Sequence, residues 1–513
     1  MATVERARLW HFHGGIVMAH HKRLCTTEPI RAAALPGTLY VPLSQHEGQP
    51  AEPLVTAGDR VLKGQPIGAA GGWLSAPVHA PSSGKVRAVE DHAVPHPSGL
   101  PAPCIVIDTD GEDRWGEHAG IDWHSAEPET IRERLFESGV VGLGGATFPS
   151  HVKLTPGDDG PVHTLIVNGA ECEPYIACDE MLMRERADDI VLGARVLQRA
   201  CGATDILIAI EDLRPEIRES MERAVHADGG TDLKLALVPT VYPEGGEKQL
   251  IQVLTGLEVP AGGLPLDLGL VCMNVATAVA AYRAAEHGEP LISRIVSVTG
   301  QGIREPCNFE ALIGTPLSEL AAQAGGYGEN VTRLIAGGPL MGFALASDQV
   351  PVTKATNCVL ALRDEQVRRP QPQMPCIRCM ECVRVCPAQL LPQQLYWHAE
   401  AHEFEKSRDL GLFDCIECGC CAMVCPSQIP LVDYYRFAKS ELRAAEADRH
   451  RADHARRRHE ARQARLARQE AEREQRLRKK KEALERRPRG DRQSEIRAAV
   501  ARARAKKRDP GPD

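Results

Sequence analysis

Two cysteine runs carry the most specific chemistry in this chain. Cys376-x-x-Cys379-x-x-Cys382-x-x-x-Cys386-Pro387 recurs, 39 residues later, as Cys415-x-x-Cys418-x-x-Cys421-x-x-x-Cys425-Pro426. This is the bacterial ferredoxin spacing, in which three thiolates of one run wrap a [4Fe–4S] cubane and the fourth reaches across to a second one. By that geometry one cluster takes Cys376, Cys379, Cys382 and Cys425, and the other takes Cys386, Cys415, Cys418 and Cys421. The proline after each run ends the turn. Paired CxxC elements also bind zinc, but zinc does not call for two matching runs. Cys420, wedged into the second run, falls outside the spacing and reads as a spectator thiol. Eight of the seventeen cysteines thus fit the two spacings. Others, such as Cys25, Cys104, Cys201, Cys272, Cys307 and Cys358, are scattered and read as small buried side chains. A dense local set in a long chain, with charges across Met1–Trp10 where a secretory signal needs an apolar core, reads as cluster ligation rather than a disulfide framework.

A second group of candidates is built from glycine and acids. Gly142-Leu143-Gly144-Gly145-Ala146-Thr147-Phe148-Pro149 follows a helical pattern and precedes Lys153. It is not the dinucleotide fingerprint, because no strand feeds it and Thr147 stands at the third glycine position. A plain tight connection is its bland reading. The functional one is that amides near Gly144 and Gly145, with Lys153, hold a phosphate. Beyond it come Asn168-Gly169-Ala170-Glu171-Cys172-Glu173 and Tyr242-Pro243-Glu244-Gly245-Gly246-Glu247, each after a strand pattern. Glu171, Glu173 and Glu247 are either ordinary surface acids or, at the strand ends of an α/β layer, the lining of a ligand crevice. His11, His13, His20 and His21 lack a carboxylate or nearby thiol at ligand spacing and read as turn or surface histidines rather than a metal set.

The elements that must position these residues follow from the texture of the chain. Up to about Trp115, short apolar pieces alternate with Pro and Gly, indicating a small β-structure. From about Glu127 to Gly288 strand patterns (163–167, 205–210, 233–238) alternate with helical ones, an α/β layer. A Gly-punctuated unit runs from Arg294 to Gly342, and a Pro-rich stretch, Arg369–Pro375, leads into the cysteines. From about Phe437 to Arg487 nearly every residue is Ala, Arg, Glu, Lys or Gln, strong helix formers. Pairs such as Glu472/Arg476, Glu474/Arg478 and Glu482/Arg486 suit a solvated single helix, with a frayed end expected past Pro488. Leu466, Leu477 and Leu484 keep no heptad.

Charge divides in the same way. The 513 residues hold 61 Lys+Arg and 69 Asp+Glu, a net of -8. Residues 441–513 alone hold 25 basic and 14 acidic residues, a net of +11, which leaves -19 for the rest. No stretch approaches the roughly 18–20 consecutive apolar residues that a membrane helix needs, so a spanning segment is not expected.

The motifs together resemble a known family. Gly139–Leu154 (GVVGLGGATFPSHVKL), Val167–Asp179 (VNGAECEPYIACD) and Gly246-Glu247-Lys248 look like the flavin-binding subunit of respiratory complex I. Gly58–Gln65 resembles the barrel-sandwich fold of lipoyl and biotinyl carriers, although no lysine lies between Gln65 and Gly84 to carry a prosthetic group. With Gly337-Gly338-Pro339-Leu340-Met341-Gly342 and the two ferredoxin motifs, residues 5–440 resemble the C-subunit family of Rnf electron-transport complexes. The resemblance implies a multidomain α/β chain: a barrel-sandwich domain (1–120), an FMN/NADH-binding α/β domain (121–288), a β-grasp module of the soluble-ligand-binding type (289–355), two ferredoxin-type 4Fe–4S segments (366–396 and 405–435) forming an α-helical di-cluster domain, and the charged helical tail (441–513).

It also implies cofactors and a role. Carried over by position, Gly142, Gly144, Lys153, Asn168, Glu171, Glu173 and Asn274 would hold FMN, and Glu247 would face the nucleotide. Ala170 departs from the complex I pattern, which has an acid there. NAD(H) would exchange a hydride with FMN, and two [4Fe–4S] clusters would carry single electrons to another subunit of an ion-translocating complex. The expected place is peripheral, on the cytoplasmic face of the inner membrane, with integral and ferredoxin-like subunits as partners. The basic tail could meet anionic lipid or merely be solvated, and nucleic acid is not an expected partner. A soluble flavin–iron–sulfur corrin reductase, and an electron-wire scaffold without a working flavin site, are the alternatives.

Overall fold

The computed structural model describes residues 9–157, 160–212, 214–367, 371–486 and 489–508. The chain divides into two compact units, Met1–Ala438 and Lys439–Asp513. In the first unit, strand Thr38–Pro42 alternates half-buried and buried residues, with Leu39 and Val41 inward, as a two-faced strand must. It pairs antiparallel with Pro101–Thr109, which pairs with Gly84–Ala93 and then Arg60–Val61. A three-stranded sheet of Glu52–Pro53, Pro66–Ala69 and Val78–His79 completes this part. Ile67, Val78, Val86, Ile105 and Ile107 fill the core shared by the two sheets.

The next part is a four-stranded parallel sheet. Its strands are β1 (Thr164–Gly169), β2 (Asp205–Glu211), β3 (Leu233–Val238) and β4 (Leu270–Asn274), in the order β3-β2-β1-β4. Their near-continuous apolar runs are what parallel strands covered on both faces require. The covering helices are α1 (Cys178–Glu185), α2 (Ala187–Cys201), α3 (Pro215–Asp228), α4 (Glu247–Thr255) and α5 (Val275–Tyr282). On α2, Ile190, Val191, Ala194 and Leu197 form one buried face at helical spacing. A six-stranded mixed sheet follows, built around Ser293–Thr299, Cys307–Leu312, Val331–Ala336 and Cys358–Arg363. The cysteine region is a set of short helices and turns ahead of the helix that starts at Leu431.

The tail differs from expectation at both ends. Its helix begins at Leu431 rather than near Phe437, runs to Glu485, and is followed by a second helix, Arg489–Arg508. Residues 489–508 are therefore helical rather than frayed, because Ala, Arg and Lys continue to favour that state there. Arg369, Arg487 and Pro488 lie outside the described residues. Among the described ion pairs, Glu482 binds Arg478 at 3.1 Å, one turn back along the helix.

What ties the parts of the first unit together is the N-terminal segment. Ile16 and Tyr242 exchange backbone hydrogen bonds of 2.7 and 3.0 Å. The Asn308 side chain donates to the Cys25 carbonyl at 2.8 Å, and Arg31–Ala32 adds a parallel strand beside Cys307–Leu312. Between these anchors Lys22 is driven into the sheet's acidic edge. Its side chain is 1% exposed, and its Nζ lies 3.4 Å from Glu171, 3.6 Å from Glu211 and 3.9 Å from Glu180, while also donating to the Glu171 carbonyl. Burial alone would discharge this amine, but the three carboxylates outweigh burial and hold its pKa above the usual lysine value. Removing one partner of such a buried group leaves uncompensated charge. Lys22→Met is therefore expected to destabilise the chain by about 3–5 kcal/mol, read as a lower urea midpoint than wild type. An unchanged midpoint would show that the carboxylates are solvated without it.

Candidate functional site

Strand order β3-β2-β1-β4 places the switch in strand order between β1 and β4, the point where the carboxyl ends of parallel strands diverge. Two asparagines face each other in register there, Asn168 on β1 and Asn274 on β4. Asn274 caps α5, its Oδ1 accepting from the Ala276 amide at 2.8 Å, while its Nδ2 donates to Asp179 at 2.6 Å. Asn168 accepts from the Ala170 amide and donates to the Gly245 carbonyl, each at 2.9 Å. Each asparagine thus clamps two segments that sequence alone left separate.

The glycine loop closes over β4. The Leu143 amide donates to the Thr277 hydroxyl on α5 at 2.8 Å, fixing the loop to the helix N-terminus. A Cβ on Gly144 would sit 3.3 Å from the Asn274 Cβ, so the loop packs tightly on the strand end. Gly145 has φ +122°, which side chains rarely adopt, with open space around it. Lys153 and Glu247 meet at 2.6 Å, both partly exposed. Both act electrostatically on Cys272 of β4, whose thiol burial pushes up to about 12. Gly144 thus packs on Asn274, Asn168 stands opposite Asn274 across the strand pair, and Lys153 and Glu247 pair beside Cys272 of the same strand.

Glu171 and Glu173 take other partners. The Glu171 carboxylate accepts from the amides of Asp179 (3.1 Å) and Glu180 (3.3 Å), from the Cys178 thiol (3.1 Å), and faces Lys22. It steadies the first turn of α1 from outside the helix. Burial and the neighbouring Glu171 raise Asp179 to about 7. Glu173 accepts from the amides of Leu340 (2.7 Å) and Met341 (3.2 Å), binding the Gly337–Gly342 turn. A Cβ on Gly338 would lie 2.1 Å from the Glu173 Cγ, which is why that turn needs glycine.

The cysteines form two hollows. One is lined by Cys376, Cys379, Cys382 and Cys425, the other by Cys386, Cys415, Cys418 and Cys421 together with Cys420. Left-handed residues recur at matching places in both runs: Arg378 and Glu417, Met380 and Gly419, Gln389 and Gln428. Non-glycine residues rarely hold that conformation, and alternation of this kind turns successive amides inward to make an anion-binding cradle. One such amide, of Leu390, donates to the Cys386 sulfur at 3.4 Å. Four thiols around a cradle of amides suit a sulfur-ligated cluster with negative charge on its sulfurs. Cys420, fully buried, hydrogen-bonds Cys418 and lowers the pKa of that thiol, a role the spacing did not signal.

The second hollow adjoins the crevice. Tyr242, 2% exposed, donates to the Cys418 carbonyl at 2.7 Å. Three residues on, the Gly245 amide donates to the Cys172 sulfur at 3.3 Å, so one turn touches both places. Ile16, Leu340, Val385 and Ile416 pack around Cys172, Tyr242, Cys418 and Cys420 as an apolar bridge. The N-terminal histidines do not gather: His13 bonds the Cys386 carbonyl at 2.9 Å, and His21 stacks on Tyr175 at 4.7 Å. Sequence reasoning gave no role to Lys22, Tyr242, Glu211 or Glu244. Tyr242 and Glu244 sat inside a quoted motif, whereas nothing local marked the other two.

Family models cover most of the first unit. "RnfC Barrel sandwich hybrid domain" matches residues 10–112, "Nuo51 FMN-binding domain" 135–283, "SLBB domain" 295–344 and "4Fe-4S dicluster domain" 375–429. FMN and [4Fe–4S] clusters are the cofactors of these domains. A solved NAD+-reducing [NiFe]-hydrogenase in its H2-reduced state aligns with a TM-score of 0.43 and 19% identity over 63% of this chain and 62% of that one. Among curated relatives, proteins named as the C-subunit of an ion-translocating oxidoreductase complex are 48% identical over 456 residues (Pseudomonas aeruginosa; 89% of this chain, 58% of the relative) and 47% identical over 464 residues (Yersinia pestis bv. Antiqua; 90% and 74%). One from Cronobacter sakazakii, named in the same way, is 46% identical over 512 residues, covering 100% of this chain and 65% of the relative. The chain thus spans 58% to 74% of the length of these relatives. With this identity along a chain whose four matched domains follow one another in order, the protein belongs to the C-subunit family of ion-translocating oxidoreductase complexes.

Proposed function

We propose that this chain is a peripheral electron-transfer subunit of a membrane-bound, ion-translocating oxidoreductase, taking electrons from NAD(H) at the strand-end crevice and passing them through its cysteine hollows to another subunit. The observation that carries the reading is the Tyr242 bridge, where one turn touches both the crevice and the backbone of Cys418. FMN, when bound, supplies the conversion of a two-electron hydride into single electrons. The protein's task is position and electrostatics. Amides of Gly142, Gly144 and Gly145, with Lys153, suit a phosphate. Asn168 and Asn274 offer amide groups at the crevice floor, Glu247 suits the nucleotide, and Glu171 and Glu173 hold the surrounding turns. Cys376, Cys379, Cys382 and Cys425 are assigned to the outer cluster. Cys386, Cys415, Cys418 and Cys421 are assigned to the inner one, beside Tyr242.

No helix among the described residues is long and apolar enough to cross a membrane, which fits attachment through partner subunits. Thiolate-ligated clusters assemble where thiols stay reduced, favouring the cytoplasmic side. The basic tail suits anionic headgroups at roughly 1 kcal/mol per residue near the surface. The relatives' names favour a membrane complex over a soluble corrin reductase.

Purified protein should show a flavin band that NADH bleaches anaerobically, followed by loss of the broad iron–sulfur absorbance. Intact clusters without any flavin would sink the NAD(H) assignment. Lys153→Ala should weaken FMN binding at least tenfold, about 1.4 kcal/mol, in a titration of flavin-stripped protein. Cys379→Ala should lower bound iron by about half and leave NADH bleaching of the flavin intact, because the inner cluster keeps its four thiols. Loss of all iron would instead mean that the hollows assemble as one unit.

A further inference from the structure

A cavity of about 360 Å³ lies where the N-terminal segment, the barrel-sandwich domain, α5 and the mixed sheet meet. None of the residues assigned to flavin or nucleotide lines it, so the electron-transfer reading leaves it unused. That volume takes about twelve non-hydrogen atoms at the roughly 30 Å³ that a water occupies in the liquid. It falls in the range of small-molecule sites, which favour interfaces between domains and combine apolar walls with a few convergent polar groups.

The walls follow from the periodicity of their elements. Ala276, Val279 and Ala280, at helical spacing on α5, line one side. On the mixed sheet Ile295 pairs with Glu310 and Ser293 with Leu312, so these four residues share the face that lines the other side. The two alanines are what leave the space, because a longer side chain there would reach toward the sheet.

The polar groups converge on Glu310. Arg186, between α1 and α2, and Arg283, just past α5, both donate to its carboxylate, the second at 2.8 Å. The Ser293 hydroxyl adds a third bond at 3.3 Å. Burial opposes the charge, yet the two guanidiniums hold Glu310 ionised, at about 2. Each arginine spends one nitrogen on Glu310, and neither guanidinium has another acceptor among the described residues. Elsewhere in the lining, Lys63 pairs with Asp113 at 2.6 Å, and Glu289 acts electrostatically on Arg283. Arg294 donates to the carbonyls of Lys354, Ile295 and Leu143. Four cations, Lys63, Arg186, Arg283 and Arg294, thus stand against three carboxylates, Asp113, Glu289 and Glu310, a net of +1.

We propose that this cavity binds a single-chain aliphatic carboxylate, with its chain along α5 and its head on Arg186 and Arg283. One negative charge matches the surplus, and a guanidinium fork matches the two oxygens of a carboxylate. The volume admits one chain of about ten carbons and not the two chains of a phospholipid, so the ligand is a free acid rather than a bilayer lipid. The Arg186 and Arg283 side chains are 24% and 30% exposed, which places the head at the solvent side and the chain inward.

The test is calorimetric titration of the full, cluster-loaded chain with decanoate below its micellar concentration. Binding should saturate at one per chain and strengthen from hexanoate to decanoate. Ala280→Phe, which fills the cavity from a half-buried position on α5, should abolish it. Arg283→Gln should weaken it about tenfold, the worth of one charged hydrogen bond. Decanol, which keeps the chain and lacks the charge, should bind the unaltered protein about tenfold more weakly than decanoate. If Ala280→Phe does not fold, as judged by its melting temperature, Arg283→Gln and decanol carry the comparison. The proposal is overturned by binding that never saturates, by equal binding to Ala280→Phe, or by decanol matching decanoate. Tighter binding of soluble dihexanoyl phosphatidylglycerol than of decanoate would also overturn it, by making the ligand a lipid. Neither NADH nor flavin enters the titration, so failure here is distinct from failure of the NAD(H) reading.

Discussion

A single buried amine organises the acidic edge of this molecule. Lys22 brings one positive charge into a region where Glu171, Glu180 and Glu211 end or adjoin neighbouring elements of the parallel sheet. Without it the carboxylates would repel one another across the first turn of α1 and the end of β2. With it, Glu171 is free to accept two amides of α1 and the thiol of Cys178. The amine arrives on a segment far away in sequence, pinned on one side by Tyr242 and on the other by the mixed sheet. Electrostatics and topology are therefore coupled: the charge that makes the strand end tolerable also ties three parts of the unit together.

From that edge the working parts are arranged by short polar clamps. Asn168 joins the end of β1 to the turn after β3, and Asn274 joins the end of β4 to α1 and starts α5. Glu173 reaches out to the turn at Gly337–Gly342. Tyr242 reaches to the cysteine region, making the inner hollow the one that adjoins the crevice. Most of these clamps bond a side chain to the backbone of another element, so their geometry depends on the fold being complete. This is also why polar groups are so concentrated there, and why the carboxylate oxygens without a hydrogen-bond partner among the described residues, both of Glu244 and one of Glu211, stand out.

Some of this was legible in the chain. Local periodicity sufficed for the apolar parallel strands, for the two-faced strands near the start, and for the long polar helix, because each depends only on neighbours in sequence. The cysteine runs and the glycine loop were equally visible, since spacing and residue type are local properties. The end of the tail was misjudged: a proline was read as a stop, although the Ala- and Arg-rich segment after it favours helix on its own. Glu171 shows another limit. A strand-end acid looks the same in sequence whether it faces a ligand or a buried lysine.

By itself, the sequence determined which elements the chain can host: thiolate ligation from two matched runs, a glycine-rich turn ahead of the parallel sheet, and a layered α/β frame from its hydrophobic pattern. Tertiary structure decided the rest. It chose which carboxylates are neutralised, which cysteine hollow adjoins the crevice, and which buried acid oxygens are left without a hydrogen-bond partner among the described residues. The physical reason is distance. Charge compensation and hydrogen bonding act over a few ångströms in space, and Lys22 with Glu171, or Tyr242 with Cys418, become neighbours only when segments 149 and 176 residues apart are folded together.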